Sequence, residues 1–241
     1  MNNFKPLISI ITVVYNNVST LEQTILSVLN QSYTNYEYII IDGGSTDGSI
    51  EVIKRYADKL AYWISEKDEG MYFAINKGLS KSNGELIGII NSDDWYEPKS
   101  FANIVDVYNN KPAYDIYHGL VRYVSKSSKV QVIIGHHHSF LTNGMIEHPA
   151  CFVKRHVYTS LSGFSTGYKS ASDYDLMLRA RAFGFKFILI ELIIASFRIG
   201  GMSGEKIAIM ENLELKRKHK LISIYRYFCW KIFLKLKYII N

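Results

Sequence analysis

The sequence predicts an α/β fold with a mainly parallel central sheet flanked by helices, and three features carry that prediction. Over the first hundred residues, short β-branched apolar runs alternate with helix-like segments, the order that produces right-handed crossovers between parallel strands. The runs have buried-strand character, as expected when helices cover both faces of a sheet. Polar residues gather where the runs end, which in open α/β sheets is where ligands bind.

The first strand is expected at Leu7-Ile8-Ser9-Ile10-Ile11-Thr12-Val13-Val14. Ser19-Thr20-Leu21-Glu22 then has capping-box spacing at the head of an amphipathic segment reaching about residue 30. Residues 36–41 form the second strand, and Asp42-Gly43-Gly44-Ser45-Thr46-Asp47-Gly48 turns the chain into a helix through about residue 57. A short strand near 61–64 and a helix over about 70–79 precede the fourth strand, 86–90. Asn91-Ser92-Asp93-Asp94 closes that strand, and Trp95-Tyr96-Glu97-Pro98 opens a helix over about 98–108. Asp93 and Asp94 admit two readings at this point. One of them caps the helix begun at Pro98, or the two offer hard oxygen ligands to a divalent cation that carries phosphate.

Beyond residue 108 the pattern changes to shorter strand candidates at 114–118, 120–124 and 130–134, a glycine-punctuated stretch, and a helix from about Asp173. From Gly204 the spacing predicts one long helix with an apolar stripe at Leu221, Ile222, Tyr225, Phe228, Cys229, Ile232, Phe233, Leu236, Ile239 and Ile240. Arg226, Lys231, Lys235 and Lys237 fall on the other side, with Tyr227, Trp230 and Tyr238 among them. Such a basic amphipathic helix with interfacial aromatics suits an anionic membrane surface. The alternatives are packing on its own domain or on a second copy as a homodimer.

Composition sets the bounds. With 241 residues, 48% hydrophobic and 21% charged, the chain is long enough for one well-buried domain plus an appendage. Cys151 and Cys229 are the two cysteines, far apart and in apolar settings, so neither a disulfide framework nor a zinc site is indicated and a reducing compartment fits. The N-terminus lacks an export signal pattern, and a cytoplasmic location is expected. The net charge is +6, but nine of the 28 Lys/Arg and two of the 22 Asp/Glu lie from Lys206 onward, leaving 19 basic and 20 acidic residues before it. A near-neutral body with a basic tail argues against nucleic acid as a partner and for a local contact made by the tail.

Four strand ends bring polar clusters toward one sheet edge: Tyr15-Asn16, Asp42, Asp68, and the adjacent Asp93 and Asp94. The stretches Ser9-Ile10-Ile11-Thr12-Val13-Val14-Tyr15-Asn16, Ile41-Asp42-Gly43-Gly44-Ser45-Thr46-Asp47-Gly48, Ser65-Glu66-Lys67-Asp68-Glu69-Gly70-Met71-Tyr72, Asn76-Lys77-Gly78, Asn91-Ser92-Asp93-Asp94 and Ala171-Ser172-Asp173-Tyr174-Asp175-Leu176-Met177-Leu178-Arg179 resemble, in their order and spacing, those of inverting glycosyltransferases of family 2. The resemblance covers about residues 7–205 and implies the nucleotide-sugar-binding GT-A fold. It implies a GT-A domain over 1–205, with a nucleotide-binding half (1–97) and an acceptor-side half (98–205), followed by the basic amphipathic helix, 206–241.

By the same resemblance, Tyr15 flanks the base, Asn16 supports the turn, and Asp42 and Asp68 accept hydrogen bonds from base or ribose. Thr12, Asn76 and Lys77 fall in the donor-binding motifs, and His148 and Arg198 reach the diphosphate or acceptor. Asp94 is the implied direct ligand of Mn2+ or Mg2+, with Asp93 a ribose, water-mediated or second metal contact. Oxygen-only ligation argues against zinc. Asp173 matches the catalytic base, while Asp175 has a dipole or packing role. Two departures stand out: Gly43 and Ser172 occupy positions where relatives often carry a second acid. The stretch from Arg198 to Gly204 resembles a flexible segment over the site, and His136-His137-His138 reads as an extended polar loop whose side chains diverge toward the acceptor.

The implied activity is metal-dependent, inverting transfer from a nucleoside-diphosphate sugar, a UDP-sugar first, to a saccharide or lipid-linked saccharide. The implied setting is bacterial surface-polysaccharide assembly, such as O-antigen or capsule, by a peripheral protein at the inner face of the cell membrane. Three alternatives fit less well. A glycoside hydrolase needs paired carboxylates but no nucleotide pocket, a sugar-phosphate nucleotidyltransferase needs a basic glycine-rich loop that Thr12-Val13-Val14-Tyr15-Asn16-Asn17 lacks, and a non-catalytic membrane adaptor needs none of the acids.

Overall fold

A computed structural model describes residues 4–127, 129–200 and 206–237. In its first half, β1 (Ile8–Val14), β2 (Tyr36–Asp42), β3 (Tyr62–Ser65) and β4 (Leu86–Asn91) pair in parallel. They are linked by α1 (Val18–Leu29), α2 (Ser49–Arg55) and α3 (Met71–Lys81).

Alternation along these strands divides the core into two layers. Ile8, Ile10, Ile40 and Ile90 pack with Leu21, Ile25 and Val28 of α1. Ile11, Val13, Ile39, Ile41 and Ile89 pack with Ala74 and Ile75 of α3 on the opposite face. A strand presents successive side chains to opposite faces, so β-branched residues at every position are what a doubly covered sheet requires. Each large aliphatic side chain so buried contributes about 1.5–3 kcal/mol. Gly78 lets α3 approach β1, because a Cβ there would lie 2.5 Å from Ile11 Cγ2.

The register aligns the strand ends. Val14 is level with Asp42, Asp42 with Ser65, and Val13 with Asn91, so the polar segments that follow β1, β2, β3 and β4 emerge along one edge.

The second half extends this sheet with β5 (Trp95–Tyr96), β6 (Ile116–Val124), β7 (Val130–Ile134), β8 (Cys151–Lys154) and β9 (Phe187–Arg198). The strand order is β3-β2-β1-β4-β8-β6-β9-β5, with β7 on β6. β8 is antiparallel to both β4 and β6, whereas β9 is parallel to β6. The helices of this half are α4 (Ser100–Asn110), α5 (Arg155–Ser160) and α6 (Ser172–Phe183).

Several expectations are corrected. Trp95 and Tyr96 do not open a helix but pair with Ser196 and Ala195 of β9. The helix starts instead at Ser100, after Lys99 in the left-handed region at φ 65°, so neither Asp93 nor Asp94 caps it. The strands expected at 114–118 and 120–124 are one strand, β6, whose register against β9 shifts near Gly119. Strands β8 and β9 were not expected at all.

The long C-terminal helix is two helices, α7 (Lys206–Lys218) and α8 (Ile224–Lys237). Lys220 at φ 56° ends the first, with the Leu221 N–H bonding back to the Lys216 carbonyl at 2.8 Å. The Ser223 hydroxyl accepts the Arg226 N–H at 3.3 Å and caps the second. The seam between them uses Leu213, Tyr227 and Leu234. Tyr227 therefore faces inward, although the helical pattern assigned it to the outer, basic side. Of the expected apolar stripe, Tyr225, Phe228, Ile232 and Phe233 are exposed, whereas Leu221 and Ile222 pack inward, and Ile239 and Ile240, with Tyr238, lie outside the described residues.

Candidate active site

Three carboxylates share one unusual property at the aligned edge. Asp42, Asp68 and Asp94 each have one buried oxygen with no hydrogen-bond partner among the described residues: Asp42 Oδ1, Asp68 Oδ2 and Asp94 Oδ2. A buried polar group left unpaired is costly, so three in neighbouring loops mark a place built to receive donors or a cation.

Asp42, at the end of β2, uses its other oxygen to shape the turn that follows. Oδ2 accepts the N–H groups of Gly44 and Ser45 at 3.0 and 2.9 Å and the Ser65 hydroxyl at 2.6 Å. Gly44 has φ 84° and packs on the backbone of Lys67, a left-handed position suited to glycine. Asn16, itself at φ 47°, accepts the Thr46 N–H on its side-chain oxygen, and its own N–H donates to the Ser45 hydroxyl. The turns after β1 and β2 are thereby tied together. Tyr15 lies beside Gly43, with 67% of its surface exposed, an aromatic face open to solvent at the carboxylate edge. Asp68 is held by Lys77, whose ammonium donates to Asp68 at 2.6 Å and to Glu66 at 2.5 Å. Lys77 thus supports an acid of the edge.

The Asp93-Asp94 turn is anchored from three elements. The Thr24 hydroxyl of α1 donates to the Asp94 carbonyl at 2.6 Å, the Asn17 side chain donates to the Ser92 hydroxyl at 3.0 Å, and the backbone N–H of Arg198 donates to Asp94 Oδ1 at 2.9 Å. Burial and then the neighbouring charge of Asp93 push the Asp94 carboxyl well above the ordinary carboxylate range, with the Arg198 N–H opposing. Burial raises Asp93 as well, against the pull of Arg198. The Arg198 guanidinium donates to the Asp93 carbonyl at 3.3 Å and lies over the Trp95 ring, 5.1 Å from its centroid. Arg198 and Lys126 bring cationic side chains to a cleft of about 330 Å³ that Asp93, Asn17 and Thr20 also line.

The anions here fit a divalent cation. Two adjacent carboxylates, one with a buried unpartnered oxygen, are hard ligands whose raised proton affinity a cation would relieve. Among the described residues no three His, Cys, Asp or Glu side chains gather to hold a metal on their own. Asp94 and Asp93 are the residues that would hold it.

Asp173 lies in the first turn of α6. Its Oδ1 accepts the Tyr174 N–H at 2.8 Å and the Tyr72 hydroxyl at 3.4 Å. Burial lifts its carboxyl above the usual range, opposed by His148 and by these hydrogen bonds. Burial lowers His148 in turn, with Asp173 pulling the other way. His148 packs edge-on against Phe164, which stacks on Tyr72.

Other expected contacts belong to the scaffold. Thr12 is fully buried, with its hydroxyl 3.0 Å from that of Tyr38. Asn76 spends its amide on both backbone groups of Phe164, at 2.8 and 2.9 Å. Neither side chain reaches the acidic edge. Asp175, 1% exposed, binds Arg179 at 2.6 Å and Lys218 at 3.2 Å, a packing role. The histidines of 136–138 do not diverge: His136 pairs with Glu147, and the rings of His137 and His138 are 3.9 Å apart as a 3-10 turn begins. Gly201 to Gly204 of the expected flexible segment lie outside the described residues. Tyr72 and Lys126 received no role from the sequence, and neither did Glu211, which binds the loop before α6. Their partners lie far along the chain, with no local pattern to announce them.

The profile of the family described as Glycosyl transferase family 2 matches residues 9–177, and the chain belongs to that family. Its fold is GT-A. It is similar to TarS of Staphylococcus aureus, solved with UDP-GlcNAc, at TM-score 0.71 and 15% identity over 90% of this chain and 67% of that one. It is also similar to the mannosyltransferase PcManGT of Pyrobaculum calidifontis, solved with GDP-Man and Mn2+, at TM-score 0.69 and 18% identity over 90% of this chain and 64% of that one. In sequence, 103 residues are 37% identical to TuaG of Bacillus subtilis, described as a candidate teichuronic acid biosynthesis glycosyltransferase, covering 41% of each chain.

Proposed function

We propose that this protein transfers a sugar, with inversion, from a nucleoside-diphosphate sugar to a saccharide acceptor. The observation that carries the reading is the set of unpartnered buried oxygens on Asp42, Asp68 and Asp94 along one edge, beside the exposed Tyr15 ring. The edge suits a nucleotide, with Tyr15 flanking the base and Asp42 and Asp68 accepting from base or ribose. Asp94 and Asp93 would hold Mn2+ or Mg2+, which when bound supplies Lewis-acid neutralisation of the diphosphate. Arg198 lies where it can bind phosphate oxygens, and His148 where it can contact donor or acceptor beside Asp173.

Asp173 takes the proton of the acceptor hydroxyl as that oxygen attacks the anomeric carbon. The new C–O bond forms on the face opposite the nucleotide, the bond to the diphosphate oxygen breaks, and nucleoside diphosphate leaves with the electron pair. One displacement inverts the anomeric configuration. Its raised proton affinity makes Asp173 a better base than an exposed carboxylate.

UDP-sugar is the donor we favour, as bound by the structural relative TarS. The kinship with TuaG supports an acceptor in bacterial surface-polysaccharide assembly, with a lipid-linked saccharide the chemistry we favour. The exposed apolar stripe of α8, with Arg226 on the same helix, supports docking on the anionic inner face of the membrane. No helix among the described residues is long and apolar enough to cross one.

A thermal-shift panel of UDP- and GDP-sugars, with and without Mn2+, tests the reading. Ligand at 100 times its Kd stabilises by about 2.7 kcal/mol. A shift with UDP-sugars that needs Mn2+ is expected, and indifference to every nucleotide would refute it.

A further inference from the structure

We propose that Glu211, on α7, is a positioning residue for Asp173, so that the C-terminal helices form part of the acceptor-side machinery as well as an appendage. This rests on the reading of Asp173 as the base.

The Glu211 carboxylate accepts three consecutive backbone N–H groups: Lys169 on Oε1 at 2.8 Å, and Ser170 and Ala171 on Oε2 at 2.9 and 3.0 Å. Ala171 is the residue before α6, and Asp173 sits in that helix's first turn. Lys169 and Ser170 precede the helix and Ala171 is its N-cap residue, so the acid, which comes from another helix 40 residues downstream of Ala171, ties down the loop that leads into α6. Hydrogen bonds to an ionised acceptor are short and strong, and three of them on adjacent amides fix the path of the backbone into Asp173.

That path matters because the Asp173 side chain is weakly held. Apart from the N–H of its own neighbour, its side-chain oxygen meets the Tyr72 hydroxyl at 3.4 Å, beyond the usual O–H···O range. Its orientation is therefore set chiefly by its backbone. α7 is itself firmly placed, with Leu215 fully buried in the main core and Lys218 bound to Asp175 one turn into α6. The helix grips α6 on both sides of the base.

Glu211→Ala and Glu211→Gln in the full chain, beside Asp173→Asn, test the proposal by steady-state transfer and donor titration. Glu211→Ala should bind UDP-sugar with unchanged affinity and stoichiometry while kcat falls about ten- to a hundredfold, the cost of a small misplacement. The acid limb of its kcat profile should move to lower pH, because a loosened turn hydrates Asp173 among its neighbours Tyr72, His148 and Cys151. Glu211→Gln keeps one acceptor oxygen and should fall between. Wild-type kcat in Glu211→Ala overturns the proposal, and so does a loss of kcat and donor affinity together with an unmoved acid limb, the mark of general destabilisation. Wild-type turnover in Asp173→Asn overturns the base reading itself, whatever Glu211 does.

Discussion

Asp94 and Asp173 are both carboxylates raised by burial, and their surroundings give them opposite expected behaviour. Asp94 has a buried oxygen without a partner and a second acid beside it, so its ionised form is a burden in the folded protein until a cation arrives. The folded-state proton affinity is the higher one, so the burden is absent below the unfolded pKa and grows as pH rises through the raised folded value. Asp94→Asn should therefore raise the melting temperature in metal-free buffer at neutral pH, by about 2–4 °C per kcal/mol recovered. It should also abolish the further rise that Mn2+ with UDP-sugar gives the wild type. Scanning calorimetry of both proteins, with and without Mn2+, checks this, and a lower metal-free melting temperature in the variant would contradict it. Asp173 must be ionised to act, so kcat should fall with decreasing pH through a limb above the ordinary carboxylate value. Asp173→Asn should cost about a hundred- to ten-thousandfold in kcat with donor binding retained. At this scale the sequence was most informative where the chemistry is local: an acid at the end of an apolar run is visible in a string of letters. The contacts of Thr12 and Asn76 were not legible in the same way, because their partners, Tyr38 and Phe164, lie 26 and 88 residues away.

At the scale of elements, the parallel first half was legible because strands covered on both faces are apolar throughout and set off by polar turns. The second half was not. β9 reads Phe-Ile-Leu-Ile-Glu-Leu-Ile-Ile-Ala-Ser-Phe-Arg, a run long enough to be a strand, but its use as the strand that returns Arg198 to the acid turn depends on pairing with β5 and β6. The division of the C-terminal helix turned on Lys220 adopting a left-handed conformation and on the Ser223 cap, both weak signals beside an unbroken helical pattern. α7 is bound into the domain, and Leu215→Ala should lower stability by about 2–5 kcal/mol in a urea titration. Tyr227→Ala, confined to the seam with α8, should loosen that helix and leave the midpoint of the main transition nearly unchanged.

For the whole molecule, the proposed function assigns the chemistry to a near-neutral body and the location to a basic tail with an exposed apolar face. Flotation with anionic vesicles should recover the full chain but not one lacking residues 221–241, and salt should weaken the binding by screening its electrostatic part. Unchanged recovery of the truncated chain would assign the exposed face to another partner, a second copy first among them. Whether the carboxylate edge is a nucleotide-sugar and metal site is tested most directly by calorimetric titration of UDP-sugar in the presence of Mn2+. The wild type should bind one equivalent, with binding lost on chelation of the metal and in Asp94→Asn. Equal affinity in the wild type and in Asp94→Asn, or binding indifferent to Mn2+, would contradict it.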